Sequence, residues 1–168
     1  MGQELLSWAQ LAEHDHYLGI ELYQPGVGAL LAGLQTLDLD NVLSIERPAQ
    51  VVLQALPERS VAAIRIFFPD PWPKKRHHKR RLIQPDFVAQ IARVLKPAAT
   101  VHLATDWQPY AEWMAECSAE SELLEQDLAS QAEAREAPRA TKFERRGLRH
   151  GHQITDLIYR KLATTVSR

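Results

Sequence analysis

Apolar residues recur at helical spacing from the first turn of the chain, and Leu5, Leu6, Trp8, Ala9, Leu11 and Ala12 mark an amphipathic helix. Tyr17 to Leu22 then reads as a short strand whose exit carries a carboxylate, Glu21. Pro25 suits a first helical turn, and Gly26 to Leu37 predicts a small-residue helix able to pack closely on a sheet. Val42 to Ile45 is the next strand, followed by a helix near Ala49 to Leu56. Val61 to Phe68, rich in β-branched and aromatic residues and ended by proline, reads as a buried strand. A helix over Asp86 to Leu95, ended by Lys96-Pro97, a strand over Thr100 to Thr105 and a helix over Tyr110 to Ser118 follow. Ser121 to Ala137 is acidic and weakly periodic, either a helix or an irregular excursion; Thr141 to Gly151 is a basic, glycine-marked loop, and Gln153 to Leu162 closes the chain as a strand. Alternating strands and helices predict an α/β fold with a mostly parallel sheet, right-handed crossovers and a reversed strand near the end.

At 168 residues with 45% hydrophobic and 24% charged side chains, one soluble domain over residues 1–168 is expected. Lys and Arg number 20 against 21 Asp and Glu, so the net charge of -1 argues nothing about nucleic acid; its distribution does. Basic residues concentrate at 74–81 and 139–149 and acidic ones between Glu112 and Glu136, which predicts one positive face. A single cysteine, Cys117, excludes an internal disulfide and a cysteine-rich zinc site and suits a reducing compartment. The expected location is the cytoplasm, since neither a membrane-spanning run nor a signal-peptide succession is legible. No metal is expected either: His77/His78 and His150/His152 lack spaced carboxylate or thiolate partners.

The chemistry concentrates in FFPDPWPKKRHHKRR, Phe67 to Arg81. Prolines 69, 71 and 73 fix their own φ and cannot donate to a ladder, so the strand stops and a stiff connection presents Asp70 at its carboxyl end. That edge is where open α/β sheets bind ligands. The cationic block beside it would attract a polyanion, nucleic acid above all, by releasing counterions from phosphates; the plainer alternative is a turn and a solvated basic helix start. Asp106 likewise follows a strand, and is read either as a partner to Asp70 in one pocket or as a turn or helix cap. Trp72 is read either as a surface for a stacked base or pocket wall, or as a side chain packed over the loop.

These residues, together with ATDW at Ala104 to Trp107 and TKFERRG at Thr141 to Gly147, resemble the bacterial tRNA (guanine-N7)-methyltransferases, which use S-adenosylmethionine. The resemblance runs from Met1 to about Tyr159 and implies a Rossmann-like class I methyltransferase fold. It implies that Asp70 is catalytic, that Gly2, Glu21 and Asp70 contact the methyl donor, and that Lys74, Asp106, Thr141, Lys142, Phe143 and Glu144 contact the guanosine. Arg76, His77, His78, Lys79, Arg80 and Arg81 match the family's RNA-contacting stretch, whose task is to grip tRNA phosphates.

The chain departs from the family's pattern on the donor side. Met1-Gly2 matches only the tail of the glycine-rich loop, and the central strand that precedes it is missing, which would leave two neighbouring strands short of a partner. The family's adenine-recognising aspartate falls at Pro48, which offers no side-chain acceptor unless Glu46 substitutes. Three readings stay open: a tRNA methyltransferase, with a strand-supplying partner or a homo-oligomer conceivable; a tRNA-binding homologue that has lost the donor site; and a generic basic-loop binding protein.

Overall fold

The computed structural model describes residues 2–136 and 153–163. They form two compact units, one from 2 to 52 and the other comprising 53–136 and 153–163.

The first unit alternates α1 (Gln3–Leu11), β1 (Tyr17–Ile20), α2 (Gln24–Leu37) and β2 (Val42–Ile45). β1 and β2 pair in parallel, Tyr17 opposite Val42 and Ile20 opposite Ile45. Leu6 and Ala9 of α1 and Val27 and Leu30 of α2 are buried, but Leu11, which the helical spacing placed on the same apolar face of α1, is 85% exposed. The two helices meet closely because position 33 is glycine: an added Cβ would stand 2.3 Å from Leu6 Cδ1. Asn41 ties the connector after α1 to the start of β2, its buried amide donating to the Ala9 and Asp15 carbonyls at 3.1 Å each. α3 (Ala49–Ala55) follows, and Pro48 sits just ahead of it, its carbonyl accepting the Val51 and Val52 N–H groups. A proline costs nothing there, because the first helical N–H groups have no partner within the helix.

The second unit contains β3 (Val61–Phe67), α4 (Pro85–Val94), β4 (Leu95–Thr105), α5 (Gln108–Ala119), β5 (Leu124–Gln126), α6 (Leu128–Glu136) and β6 (Thr155–Lys161). Its sheet has the order β3-β4-β6-β5. β3 and β4 are parallel, and β6 runs antiparallel to both β4 and β5, so among the described residues β6 is the one reversed strand of this sheet. α4 presents Phe87, Val88, Ile91, Ala92 and Val94 to the interior, α5 presents Tyr110, Ala111, Met114 and Cys117, and β4 presents Val101 and Leu103. α4 and α5 pack on each other and on β4. Fully burying each large apolar side chain in this layer contributes roughly 1.5–3 kcal/mol, which makes it the scaffold that holds the loops above it.

Two expectations are corrected here. The acidic stretch after α5 contains a strand, β5, as well as a helix, because Leu124 finds Lys161 and Gln126 finds Tyr159 across the sheet. α4 ends at Val94, within one residue of the expected Leu95, but β4 begins at once at Leu95 instead of at Thr100; Val61 lies opposite Leu95 but Ala63 opposite Thr100, so 96–99 are bulged out of the ladder with Ala98 at φ 64°. Pro97 is tolerated there because a bulge requires no N–H. β1 and β3 each form an edge of their own sheet among the described residues.

Candidate active site

β3 and β4 are in register through Phe67 opposite Ala104, and the Phe68 N–H adds a last bond to the Ala104 carbonyl at 2.8 Å. Asp70 and Asp106 therefore leave the sheet from the carboxyl ends of adjacent parallel strands, at one rim. Asp70 is exposed and Asp106 half-buried. The loop carrying Asp70 is flanked by two left-handed residues, Phe68 at φ 52° and Trp72 at φ 43°. For side chains of this size such a conformation costs roughly 1–2 kcal/mol each and persists only where the surroundings impose it. On the neighbouring strand, buried Thr105 accepts the Trp107 N–H at 3.2 Å through Oγ1, closing the turn that carries Asp106.

The cationic block folds into a 3-10 helix, Lys75–Arg80, opened by a bond from the His77 N–H to the Lys74 carbonyl and closed by one from the Arg81 N–H to the His78 carbonyl. Lys74, Lys75, Arg76, Lys79 and Arg80 are exposed; His77 and His78 are half-buried. The Arg80 guanidinium lies 5.1 Å from the Trp72 ring centre, and the His77 ring meets the indole edge-on at 5.8 Å. The half-buried Trp72 thus braces two members of the basic block. The Arg76 Nε–H donates to His77 Nε2 at 3.3 Å.

Arg81 departs from its expected place in the RNA-contacting row. Only 3% of it is exposed. Its Nε–H donates to the Pro71 carbonyl at 2.9 Å, its Nη2 to His78 Nε2 at 3.1 Å, and its guanidinium lies 4.9 Å from the Tyr110 ring centre. A guanidinium can only donate, so His78 accepts at Nε2 and carries its proton on Nδ1. Tyr110 in turn accepts the Ile83 N–H at 3.2 Å, and Trp113 Nε1 donates to the Ile83 carbonyl at 2.8 Å. Gln84 donates to the His78 carbonyl at 3.0 Å. Burial pushes the Tyr110 hydroxyl above its usual range, against the Ile83 bond and the Arg81 charge. None of these inward contacts was anticipated. The available signal was that Arg81 directly precedes apolar Leu82-Ile83, at the border of the core.

The other candidate residues lie as follows. Gly2 opens α1 at φ 78°, a conformation that favours glycine, and an added Cβ would stand 3.1 Å from Leu30 Cδ1. Glu21, half-buried just past β1, has Oε1 fixed by the Leu22 and Tyr23 N–H groups, both at 2.9 Å. Glu46 accepts from the Gln24 amide at 2.5 Å. Thr141, Lys142, Phe143 and Glu144, and also His150 and His152, lie outside the described residues. Among the described residues no group of three or more His, Cys, Asp or Glu side chains is placed to hold a metal ion, and no helix is long and apolar enough to cross a membrane.

Residues 1–157 match the family model whose description is "Putative methyltransferase". The chain is 50% identical over 161 residues to a tRNA (guanine-N(7)-)-methyltransferase of Burkholderia vietnamiensis, covering 94% of this chain and 63% of that protein. It is 47% identical over 161 residues to a protein of the same name from Nitrosococcus oceani, covering 95% of this chain and 67% of that one. The chain thus spans under two thirds of the length of the Burkholderia relative. Solved structures share the fold at low identity: an rRNA methylase from Streptococcus thermophilus (TM-score 0.58, 10% identity, 88% of this chain and 74% of that one) and a tRNA (m1A58) methyltransferase from Aquifex aeolicus (TM-score 0.55, 14% identity, 89% and 54%). The fold is accordingly Rossmann-like, as expected from the sequence.

Proposed function

We propose, for a chain that belongs to the tRNA (guanine-N7)-methyltransferase family, that it transfers a methyl group from S-adenosylmethionine to N7 of a guanosine in tRNA. The observation that carries this reading is the shared rim: two carboxylates leave adjacent parallel strands, and a solvent-facing cationic helix begins a few residues beyond the first.

Guanine N7 bears an in-plane lone pair, so the transfer needs no base to remove a proton from it. What the residues must supply is orientation of the base and negative potential against the positive charge that develops on it. Asp70 is the group for this task, because an exposed carboxylate on a stiff loop can accept from the guanine N1–H and exocyclic amine while lending its charge to the ring. Asp106 and Lys74 assist in holding the nucleoside. The exposed Lys75, Arg76, Lys79 and Arg80 hold the tRNA backbone, and that binding energy offsets the cost of taking the guanine out of its stack.

The methyl donor supplies an electrophilic sulfonium methyl when bound. Glu21 fits it: the carboxylate is already oriented by two backbone N–H groups at the end of a parallel strand, where a ribose diol is commonly held. The position of Pro48 does not fit an adenine contact, since its carbonyl is spent on the start of α3.

The test is methyl transfer to tRNA, read as N7-methylguanosine by mass spectrometry of the digested nucleosides. Asp70→Asn should lower the rate about 100-fold, the scale set by removing one preorganised polar group, with tRNA affinity within about twofold of the parent. Undiminished turnover in Asp70→Asn would remove that residue's role. Retained tRNA binding without donor binding or transfer by the parent chain would leave only an RNA-binding homologue.

A further inference from the structure

We infer that Arg81, although it belongs to the basic run by sequence, is a positioning residue that sets the two rim carboxylates relative to each other; its catalytic consequence rests on the function proposed above. The inference starts from where the guanidinium ends up. Long cationic side chains at a phosphate-binding surface keep their charged heads in water, whereas this one is buried and has its directed contacts inside the protein.

Those contacts select two particular elements. One N–H is bonded to the carbonyl of Pro71, the residue immediately after Asp70. The guanidinium carbon lies over the ring of Tyr110, 4.9 Å from its centre, in the first turn of α5, the helix that begins two residues after Asp106. A third contact, to His78 Nε2, returns to the 3-10 helix itself. Tyr110 and Trp113 then grip both backbone groups of Ile83, two residues after Arg81, so the arginine cannot shift without disturbing α5. One guanidinium therefore joins the carriers of Asp70 and Asp106. The strained Phe68 and Trp72 indicate that the Asp70 loop needs such an external hold.

Arginine is required for this. A planar fork can donate in two directions while its face covers a ring, and an ammonium cannot. A residue gripping phosphate would behave in the opposite way, since lysine keeps the charge and much of the contact. This contrast makes Arg81→Lys the informative variant, with Arg81→Gln and Arg80→Gln beside it, all in the full chain.

Three readouts separate the roles: tRNA affinity across a salt series, kcat and KM for tRNA, and the rate of trypsin cleavage after Lys74. Arg80→Gln should make the salt dependence of binding shallower by about one ion. Arg81→Lys and Arg81→Gln should leave that slope unchanged, lower kcat about tenfold or more with KM within about twofold, and accelerate cleavage of the loop. Arg81→Lys matching the parent in turnover and cleavage, or Arg81→Gln flattening the salt slope as Arg80→Gln does, would overturn the inference. Should Arg81→Gln fail to fold, Arg81→Lys carries the comparison alone. If the parent chain transfers no methyl group, the functional reading fails separately, while salt slope and cleavage still judge the clamp.

Discussion

Cys117 is buried on the inner face of α5, and burial, with Glu120 and Glu116 adding to it, pushes its thiol up to about 11. Only the thiolate reacts with alkylating reagents, so at pH 8 the native protein should be modified about 100-fold more slowly than a free cysteine, and at the free rate in denaturant. The same shift acts on stability. A raised folded pKa stabilises the native state fully below the unfolded value, near 9, and that contribution is lost as pH rises through about 11. Base titration followed by circular dichroism should show Cys117→Ala less sensitive than the parent across that window. At this scale the sequence exposes some residues and hides others. That Asp70 and Asp106 leave the ends of strands was legible because proline and strand endings mark their places locally. The burial of Arg81 was not, because whether a terminal arginine faces water or core depends on Tyr110, which lies far along the chain in α5 and meets it only in the folded unit.

Among the elements, α6 is held by its first residue's predecessor. Asp127 Oδ1 accepts the Ser130 N–H at 3.1 Å, Oδ2 accepts the Ser130 hydroxyl at 2.9 Å, and Arg160 of β6 pairs with the same oxygen. The two Ser130 bonds, then Arg160, hold this carboxyl below its usual range. Asp127→Ala should cost about 1 kcal/mol in a urea melt, as for other helix caps. With a depressed folded pKa, the stabilisation is present above the unfolded value near 3.8 and fades as pH falls through the folded one, so the mutant and parent should converge in acid. α4 was legible because its apolar face repeats at helical period over several turns. β5 was not, since three residues give no usable period and Leu124 is fixed by Lys161, which is remote in sequence. The start of β4 was hidden for a related reason: a bulge breaks the period where Pro97 signals an ending.

On the scale of the whole molecule, what was legible was the alternation of elements and a reversed strand near the end; the division into two units and the separate sheets β1-β2 and β3-β4-β6-β5 among the described residues were not, because pairing between strands is not written in any one of them. The unevenness of the fold has a practical consequence, and it comes from the backbone at Phe68 and Trp72. Residues held left-handed against their preference release first when their surroundings soften. Gentle warming, or urea well below the unfolding midpoint, should therefore open the Lys74 peptide bond to protease, and abolish the methyl transfer proposed above, while far-ultraviolet circular dichroism stays flat. A preparation of this protein would then look intact by its spectrum with the Asp70 loop already released, so its shelf life is better judged by a protease challenge than by a melting curve.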